Sequence, residues 1–470
     1  MANINRRNFL STLTAATMAS GTGLLAQLTR QKAFAADTQG YKALVCVMLQ
    51  GGNDHADTIL PRDQENYAAL ENVRGGILRA HGATHDLENL VALNPASADR
   101  FGGRLFGMPS YFAPFGSLFE AGELAIVGDV GPLVEPVTRQ SYESGTAAVP
   151  EHLFSHNDQR SLWQSLGVEG TRVGWGGRFL DAALSSDPTS TAEFSAVTMT
   201  SPDVFIFGNS AIPFRPPLGG RSLDISIVHK NFFLGNADRF DPTREALQDF
   251  LRARDPSNPN LFARDVKTLQ AAGVDVSLQF REATNDAVTL DHAFPNPSLS
   301  LDQVANIIAM RNILNVNRQI FFVRQGFYDT HGRQAAEIAN LHGELVPALA
   351  AFRQAMIAQG DWDKVTLFTM SDFGRALVEN GSGTDHGWGG HSFVMGGDVR
   401  GGDIYGDIAP PEPGSSSYVD RRGRLIPTRS VEQFAATLGR WFGLDDGELQ
   451  QALPNLANFD EKDLGFMGRA

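Results

Sequence analysis

The run KALVCVMLQ at Lys42–Gln50 constrains the fold of this chain more than any other segment. It is apolar on both faces that a strand would present, and it ends directly in Gly51-Gly52-Asn53-Asp54. Such a run, bounded by a glycine turn, is typical of a parallel strand that is buried on both faces and carries a functional loop at its carboxyl end. Similar apolar runs follow at Glu123–Val130, Gln319–Val323, Lys364–Met370 and Ser392–Met395.

Helical patterns lie between these predicted strands. Apolar residues recur at three- and four-residue steps over Gln334–Gln359, and Ser430–Leu444 has the pattern of a closing amphipathic helix with Gly443 near its end. Strands that alternate with helices predict an α/β layer fold with a mostly parallel sheet. The proline-rich stretch at about 188–296 shows less strand periodicity, and we interpret it as a cap or insertion on this core.

The first 35 residues have the three parts of a signal peptide. A basic start with Arg6 and Arg7 precedes a weakly apolar run, and Ala33-Phe34-Ala35 provides a cleavage site after Ala35. The paired arginines followed by Phe9-Leu10 resemble the twin-arginine export signal. We therefore expect residues 1–35 to be removed and the mature protein, residues 36–470, to be periplasmic or secreted.

Charge and cysteine content exclude several classes of function. The net charge is −14, and it becomes −18 without the leader, because the leader holds four basic residues and no acid. A chain this acidic is not expected to bind nucleic acid, which needs a basic surface. The single cysteine, Cys46, excludes a cysteine-rich metal site and lies inside the first apolar run. No segment after the leader is apolar enough to predict a transmembrane span.

Residues that commonly bind metals lie beside the predicted strands. They are Asp54, Asp329, His331, Asp372, His386 and His391. The carboxyl ends of parallel strands meet at one edge of a sheet, where ligands bind. Aspartate and histidine together suit zinc, manganese or iron, whereas carboxylates alone suit magnesium or calcium. The joint placement predicts a divalent-metal site; the alternative for any one of these histidines is a hydrogen-bonded structural role.

Five motifs resemble one bacterial family in their order and spacing: Gln50–Asp54, Ser155–Gln159, Tyr328–Gly332, Ser371–Arg375 and Thr384–His391. This is the twin-arginine-exported domain-of-unknown-function 1501 family, which is grouped with the alkaline-phosphatase-like superfamily. The resemblance covers nearly the whole mature chain. It implies a three-layer alkaline-phosphatase-like sandwich around a mostly parallel sheet, and chemistry on phosphate or sulfate esters with one or two metal ions beside a nucleophile.

The resemblance also implies roles for the metal-binding residues. Asp329 and His331 resemble a pair of ligands on one ion, with His391 as the third. Asp372 lies where the superfamily's strand-end Asp-His pair begins, and His386 is expected to complete the second ion. Asp54 matches the first-strand aspartate that binds metal.

The chain departs from the superfamily pattern at two of these positions. The superfamily often has Asp-x-x-x-His where this chain has Asp329-x-His331, and Asp-His where this chain has Asp372-Phe373. These departures would alter or remove one of the two metal sites.

The expected nucleophile is Ser155, with Thr58 as the fallback, because a nearby base or metal can activate a serine hydroxyl. The alternative is that Ser155 caps the predicted helix Asn157–Leu166. His156 is expected either to donate to a substrate oxyanion or to satisfy a backbone carbonyl. Arg375 is expected either to bind an anionic substrate or to pair with a neighbouring carboxylate.

Together these features predict a secreted metal-dependent hydrolase of phosphate or sulfate esters. The expected cofactor is one or two divalent ions, zinc first and manganese, magnesium or calcium as alternatives. The expected substrate is a small anionic ester or an envelope polymer. Two alternatives stay open: a non-catalytic metal-binding module of the same fold that binds an envelope polymer or partner, and a phosphomutase or transferase.

Overall fold

A computed structural model describes residues 36–187, 189–216, 246, 249–286, 294–295 and 299–469. The strands in these residues are β1 (Lys42–Leu49), β2 (Leu60–Pro61), β3 (Val91–Leu93), β4 (Phe106–Met108), β5 (Leu124–Gly131), β6 (Ala196–Thr198), β7 (Arg318–Gln325), β8 (Val365–Ser371), β9 (Arg375–Glu379), β10 (Thr384–His386), β11 (Gly390–Gly396), β12 (Ile404–Gly406) and β13 (Arg429–Ser430). The α-helices are α1 (Gln64–His81), α2 (Ala113–Glu120), α3 (Arg139–Glu143), α4 (His156–Ser165), α5 (Trp175–Ser186), α6 (Leu261–Asp286), α7 (Leu301–Ala309), α8 (Gln334–Gln359), α9 (Val431–Phe442) and α10 (Asp446–Ala452).

Some of the predicted organisation falls outside these residues. The predicted signal peptide, residues 1–35, lies outside them, as does much of the predicted cap at about 188–296. The part of the cap region that is described includes α6, whose Phe280 and Ala283 are buried in the core on one face of the sheet. The division into a leader, a core and a cap stays a prediction.

The central sheet has the strand order β12-β5-β11-β8-β1-β7-β6, and β13 pairs with β5 at one end. β1 runs parallel to both of its neighbours, β7 and β8. Among the described strands of this sheet, β11 alone is antiparallel to its neighbours. The prediction of an α/β fold around a mostly parallel sheet is therefore confirmed.

Helices cover both faces of this sheet. Alternate residues of β1 belong to two separate apolar clusters, with Val45 and Val47 in one and Cys46 in the other. The first cluster is completed by residues of α2, α7 and α8, and the second by residues of α5, α9 and α10. A strand buried on both faces needs apolar residues at every position, which is why β1 is a continuous apolar run. The arrangement has three layers, as predicted.

The predicted and observed helices agree closely where the sequence marks their positions clearly. The helix predicted at Gln334–Gln359 is α8, with the same bounds. The closing helix is α9, where Ser430 and Gln433 form a reciprocal capping box and Gly443 ends the helix at φ +119°. Both end signals involve only residues that are close in sequence, so they do not depend on what the helix packs against. None of the helices in the described ranges is long and apolar enough to cross a bilayer.

A charged contact joins the sheet to one helical layer. Glu123, which precedes β5, accepts two hydrogen bonds from Arg353 of α8, with Nε–Oε2 at 2.5 Å and Nη2–Oε1 at 2.9 Å. The indole nitrogen of Trp362 donates to the same carboxylate at 3.0 Å. The hydrogen bond from Arg353 lowers the pKa of Glu123, and this effect outweighs that of partial burial.

We expect Glu123→Gln to lower the free energy of unfolding by about 1–3 kcal/mol at neutral pH, because the variant loses charge-assisted hydrogen bonds in a partly buried position. Since the folded-state pKa lies below the unfolded value of about 4.3, this stability is present above the unfolded value and is lost as the pH falls through the folded one. Denaturant midpoints of wild type and variant should therefore converge on acidification. Glu143→Gln, which removes the exposed pair with Arg139, is the matched control and should change little. A gap between wild type and Glu123→Gln that widens at acidic pH would contradict this account.

Candidate active site

The candidate site begins where β1 ends, at a turn formed by Gly51 and Gly52. Both residues have positive φ, +119° and +95°. A Cβ on Gly51 would lie 2.4 Å from the backbone nitrogen of Asp329, and a Cβ on Gly52 would lie 2.4 Å from the ring of Phe373. Only glycine allows the loops after β7 and β8 to approach β1 this closely. The turn therefore brings segments from three neighbouring strands together at the carboxyl edge of the sheet.

Four side chains meet at this edge, and we call His156, Asp329, His331 and His386 the open cluster. The Nε2 atoms of His331 and His386 lie 2.9 Å apart. Asp329 Oδ1 lies 3.1 Å from His331 Nε2 and 3.3 Å from His386 Nε2, and its Oδ2 lies 3.4 Å from His156 Nε2. The side chains of Asp329 and His331 are 44% and 47% exposed, so the cluster can be reached from solvent.

His156 is held by a buried carboxylate. Its Nδ1 lies 2.8 Å from Oδ2 of Asp372, a residue that is 1% exposed. This hydrogen bond raises the pKa of His156; partial burial opposes it, and the charges of Asp372 and Asp329 add to it. Because a carboxylate only accepts, Nδ1 carries the proton and Nε2 points toward Asp329. Carboxylate–histidine pairs of this kind orient metal ligands in proteins.

A backbone carbonyl fixes the orientation of His386, as Asp372 fixes that of His156. Its Nδ1 donates to the oxygen of Phe154 at 2.8 Å, which leaves the lone pair on Nε2. Burial lowers the pKa of His386, so the ring is neutral at ordinary pH. Phe154 has φ +72°, a left-handed conformation that is unusual for a bulky residue. Its ring lies 4.2 Å from the guanidinium of Arg424, which also donates to the carbonyl of His386 at 3.2 Å.

The donor atoms of the open cluster fit a divalent ion. One ligand atom from each of His156, Asp329 and His386 can be chosen so that all lie within 4.8 Å of one another. His156 Nε2 is buried and has no hydrogen-bond partner among the described residues. Two histidines whose Nδ1 protons are committed elsewhere, together with one carboxylate, form a donor set that suits zinc.

Arg375 fixes Asp329 from the protein interior. The arginine is 0% exposed, and its Nη1 donates to Asp329 Oδ1 at 2.7 Å and to the carbonyl of Gly51 at 3.3 Å. Its remaining nitrogens donate to the hydroxyl and carbonyl of Thr384. Partial burial acts to raise the pKa of Asp329, but Arg375, His331 and His156 together lower it. Of the two expected roles for Arg375, the structure displays the carboxylate pair.

Phe373 is the residue at which this chain departs from the Asp-His pair of the superfamily that it resembles. Its ring lies against Gly52, with centroids 4.8 Å from the ring of His156 and 4.7 Å from that of His386. An aromatic side chain here packs the two imidazoles and offers no ligand atom. The departure at this position therefore replaces a possible metal ligand with an apolar contact.

Three predicted site residues lie apart from the open cluster. Asp54 is fully buried and forms a bidentate ion pair with Arg74, at 2.5 and 3.1 Å. His391 accepts a hydrogen bond from the backbone of Asp129 at 3.1 Å, and burial lowers its pKa well below the usual value. The hydroxyl of Ser155 donates to Asp158 Oδ2 at 2.6 Å.

Ser155 does occupy the N-cap position of α4, but its side chain makes no capping bond to the backbone. Its two neighbours in the chain both reach the open cluster, Phe154 through its carbonyl and His156 through its ring. The fallback residue Thr58 is 1% exposed, and its hydroxyl donates to the carbonyl of Asp54 at 2.6 Å.

A second group of polar residues lies inside the protein and was not singled out from the sequence. Asp57, His81 and His85, which we call the buried cluster, also offer ligand atoms within 4.8 Å of one another. Burial lowers the pKa of His85 to about 3. Burial alone would raise the pKa of Asp57, but Arg74 and His81 bring it well below its usual range. The spacing His81-x-x-x-His85 is a signal that could have found this group.

One exposed aromatic residue stands at the rim of the site. Phe327 is 88% exposed and has φ +77°, two residues before Asp329. It lines a surface groove with Asp329, Glu337, Asn340 and Leu341. A bulky residue in this backbone region is strained, and such strain is frequent at binding sites.

We expect Gly52→Ala to destabilise the protein by about 2–4 kcal/mol, because the new Cβ meets the Phe373 ring and the residue must keep a positive φ. Gly145→Ala is the matched control: Gly145 also has positive φ, +65°, but its Cβ would meet nothing within 4 Å. Gly145→Ala should lower the free energy of unfolding by only about 1 kcal/mol, the cost of keeping a positive φ. Equal shifts in thermal midpoint for the two variants would show that the contact with Phe373 does not contribute to the loss of stability.

Asp372→Asn should move the titration of His156 to lower pH in metal-free protein, because the neutral amide no longer stabilises the charged ring. Selective isotope labelling of histidine followed by NMR titration measures this directly. His152, an exposed residue outside both clusters, provides the internal control in the same spectra and should not shift. An unchanged His156 titration in the variant would contradict the role given to Asp372.

Comparisons with solved structures give distant similarities. Ps i-CgsB in complex with k-i-k-neocarrahexaose is 10% identical, covering 89% of this chain and 77% of that one, with a TM-score of 0.34. The C-terminal periplasmic domain of EcEptC from Escherichia coli, in a complex with Zn, is 10% identical over 88% and 85%, with a TM-score of 0.30. Phosphonate monoester hydrolase SpPMH from Silicibacter pomeroyi is 11% identical over 86% and 74%, with a TM-score of 0.28.

A comparison with curated proteins finds no match. One family model does match the sequence, from Asp129 onward, and the matched segment contains every residue of the open cluster. The family expected from the five sequence motifs is thereby confirmed. The chain belongs to the family described as Protein of unknown function (DUF1501), whose model matches residues 129–453.

Proposed function

We propose that this protein is a secreted metal-dependent hydrolase of phosphate or sulfate esters. The observation that supports this most directly is the convergence of His156, Asp329 and His386, whose ligand atoms lie within 4.8 Å of one another at the open edge of the sheet. Metal sites that three protein residues form beside solvent leave a position for substrate or water, as catalytic zinc sites do.

His156, Asp329 and His386 would hold the ion, and His331 lies close enough to His386 and Asp329 to join them. Nitrogen donors favour zinc over magnesium or calcium. When bound, the ion would polarise the ester and offset charge on the phosphoryl or sulfuryl oxygens. In this proposal Asp372 and Arg375 keep His156 and Asp329 in place and do not bind the ion. Asp54 and His391 serve the surrounding structure, because the Asp54 carboxylate pairs with Arg74 and His391 Nδ1 accepts a hydrogen bond from the backbone of Asp129.

Ser155 is the proposed nucleophile. Its hydroxyl already has an acceptor for the proton in Asp158, 2.6 Å away, so the pair has the nucleophile-and-base arrangement that activated hydroxyls need. Attack would form a bond from Ser155 Oγ to phosphorus or sulfur while the bond to the leaving oxygen breaks, and the serine proton would pass to Asp158. The proton on Asp158 would then pass to the leaving oxygen. Water would displace Ser155 Oγ from phosphorus or sulfur, which releases phosphate or sulfate and restores the serine hydroxyl.

The substrate is proposed to be an anionic ester whose organic part contacts Phe327. The protein carries a net charge of −14, so an anion must find its attraction locally, at the bound ion. The exposed ring of Phe327 offers an apolar surface beside Asp329 for a sugar or aryl group. A small ester or the end of an envelope polymer fits this open groove.

A second candidate is a metal-binding module of the same fold without turnover. The buried guanidinium of Arg375 favours it, since each of its three nitrogens already donates to a protein oxygen and the residue has no exposed surface to offer a substrate anion. In that case the open cluster would bind an anionic partner through its ion and would leave the ester intact.

The test is hydrolysis by the mature chain, loaded in turn with zinc, manganese, magnesium or calcium, of aryl phosphate monoesters, aryl phosphate diesters and aryl sulfates. We expect turnover with zinc, and we expect His156→Ala and Asp329→Ala each to lower kcat/KM by at least about a hundredfold. Ser155→Ala should cause a similar loss, whereas Ser144→Ala, at an exposed serine in the preceding segment, should have no effect.

Different outcomes overturn different parts of this proposal. The absence of hydrolysis with every ion and every ester class would reject the enzymatic role and leave the binding module. Turnover that survives Ser155→Ala would reject the nucleophile and keep the reaction class. Turnover that survives His156→Ala would reject the ligand set.

A further inference from the structure

The buried cluster is formed by two adjacent segments. His81 is the last residue of α1, and His85 follows a single 3-10 turn, Gly82–Thr84. The two imidazole rings stack with centroids 3.6 Å apart and an angle of 18° between their planes. Asp57, on the loop after β1, places its Oδ2 3.2 Å from His81 Nε2. The side chains of Asp57 and His81 are 0% exposed, and so is His85.

The hydrogen bonds around Thr84 fix the tautomer of His85. The Thr84 hydroxyl donates to the carbonyl of His81 at 3.0 Å, and its oxygen lies 3.1 Å from His85 Nδ1. A hydroxyl has one proton, so Nδ1 must be the donor in the second contact. The lone pair of His85 is therefore on Nε2, a buried atom without a partner among the described residues. An unpaired buried acceptor of this kind is costly unless an ion or water meets it.

The charges around the cluster leave a negative excess. Arg74 is 0% exposed and pairs with two buried carboxylates, Asp54 at 2.5 Å and Asp57 at 3.3 Å. One guanidinium cannot neutralise both carboxylates, and Gln334, which donates to each of them, brings no charge. Buried charge needs compensation, either by a proton on His81 or by a bound cation. The free lone pair of His85 favours the cation, because a protonated His81 would leave it unused.

We propose that Asp57, His81 and His85 form a second metal site, a closed one that binds a divalent transition metal such as zinc. It is distinct from the open cluster, with which it shares no residue. Its ligand set of two histidines and one aspartate suits an ion that accepts nitrogen donors. In this position the ion would tie the end of α1 to the loop that follows β1. The proposal does not depend on ester hydrolysis.

Hydrogen bonds connect this site to the open cluster. Gln334 donates to Asp57 at 2.7 Å and accepts from the hydroxyl of Thr384 at 2.7 Å. The same hydroxyl oxygen accepts from Arg375 Nε at 3.2 Å, and Arg375 holds Asp329. An ion at the buried cluster would thus stabilise the scaffold from which Asp329 is positioned. Its role would be structural, as in other zinc sites without an open coordination position.

The experiment counts ions in a variant from which the open cluster has been removed. His156→Ala/His386→Ala protein, loaded with zinc and dialysed, should retain about one ion per chain by elemental analysis. Adding His85→Ala should reduce this to none, whereas adding His152→Ala, at an exposed histidine, should not. Loading with cobalt in place of zinc should give the visible absorption of a nitrogen-and-oxygen site in the double variant and lose it with His85→Ala.

Thermal unfolding provides a second measurement that does not require the triple variant to fold. Zinc should raise the midpoint of the double variant, because an ion that binds only the folded state stabilises it. A double variant that keeps no ion and shows no midpoint shift with zinc would overturn the proposal, as would an ion count unaffected by His85→Ala. Failure of ester hydrolysis would leave both measurements unchanged, so the two proposals are tested separately.

Discussion

The structure depends on the pairing of two arginines that have no exposed surface. Arg74 and Arg375 are both 0% exposed. Arg74 pairs with two carboxylates from the loop after β1, and Arg375 pairs with Asp329 from the loop after β7. An unpaired charge in such surroundings costs several kcal/mol, so the loops after β1 and β7 can close only with these partners in place. Arg74 lies at a kink in α1, where its φ of −143° interrupts the helix and lets the side chain turn inward. The exposed residues of the open cluster therefore depend for their positions on these buried ion pairs.

The two buried arginines also explain why Asp329 faces solvent and Asp54 does not. Asp54 and Asp329 both follow strands of the parallel sheet, yet Asp54 is enclosed by Arg74 and Gln334, while Asp329 meets one arginine and keeps its second oxygen toward His156. The side chain of Phe373 adds to this division by filling the space between two imidazoles without offering a donor. Two aspartates with equivalent positions in the sheet thus have different surroundings, one internal and one facing solvent.

The sheet and its main helices were predictable because their signals are local. A strand buried on both faces, such as β1, must be apolar at every position, and α9 carries its own end signals in Ser430 and Gly443. The sequence placed Asp329, His331 and His386 among six candidate ligands, but the resemblance assigned His386 to a different ion from Asp329 and His331, whereas the structure brings these three side chains together. Contacts made by side chains far apart in sequence were not predictable. Asp372 meets His156, 216 residues away, and nothing near Asp54 indicates that the inward-turned residue of α1 will enclose it. The buried cluster was missed although His81 and His85 are four residues apart, because Asp57 joins them only after α1 has packed.

The position of β1 has a consequence for the order in which the protein can be assembled. β1 precedes every other described strand in the chain, but the strands on either side of it are β7 and β8, and Lys42 pairs with Arg318. A chain growing on the ribosome therefore holds this largely apolar strand without its neighbours until residues 318–371 have been made. His156 likewise precedes Asp329, Asp372 and His386 in the chain and cannot contact them until they have been made. The open cluster therefore cannot form until residue 386 has been made, and an incomplete translation product would be prone to aggregate through its first strand.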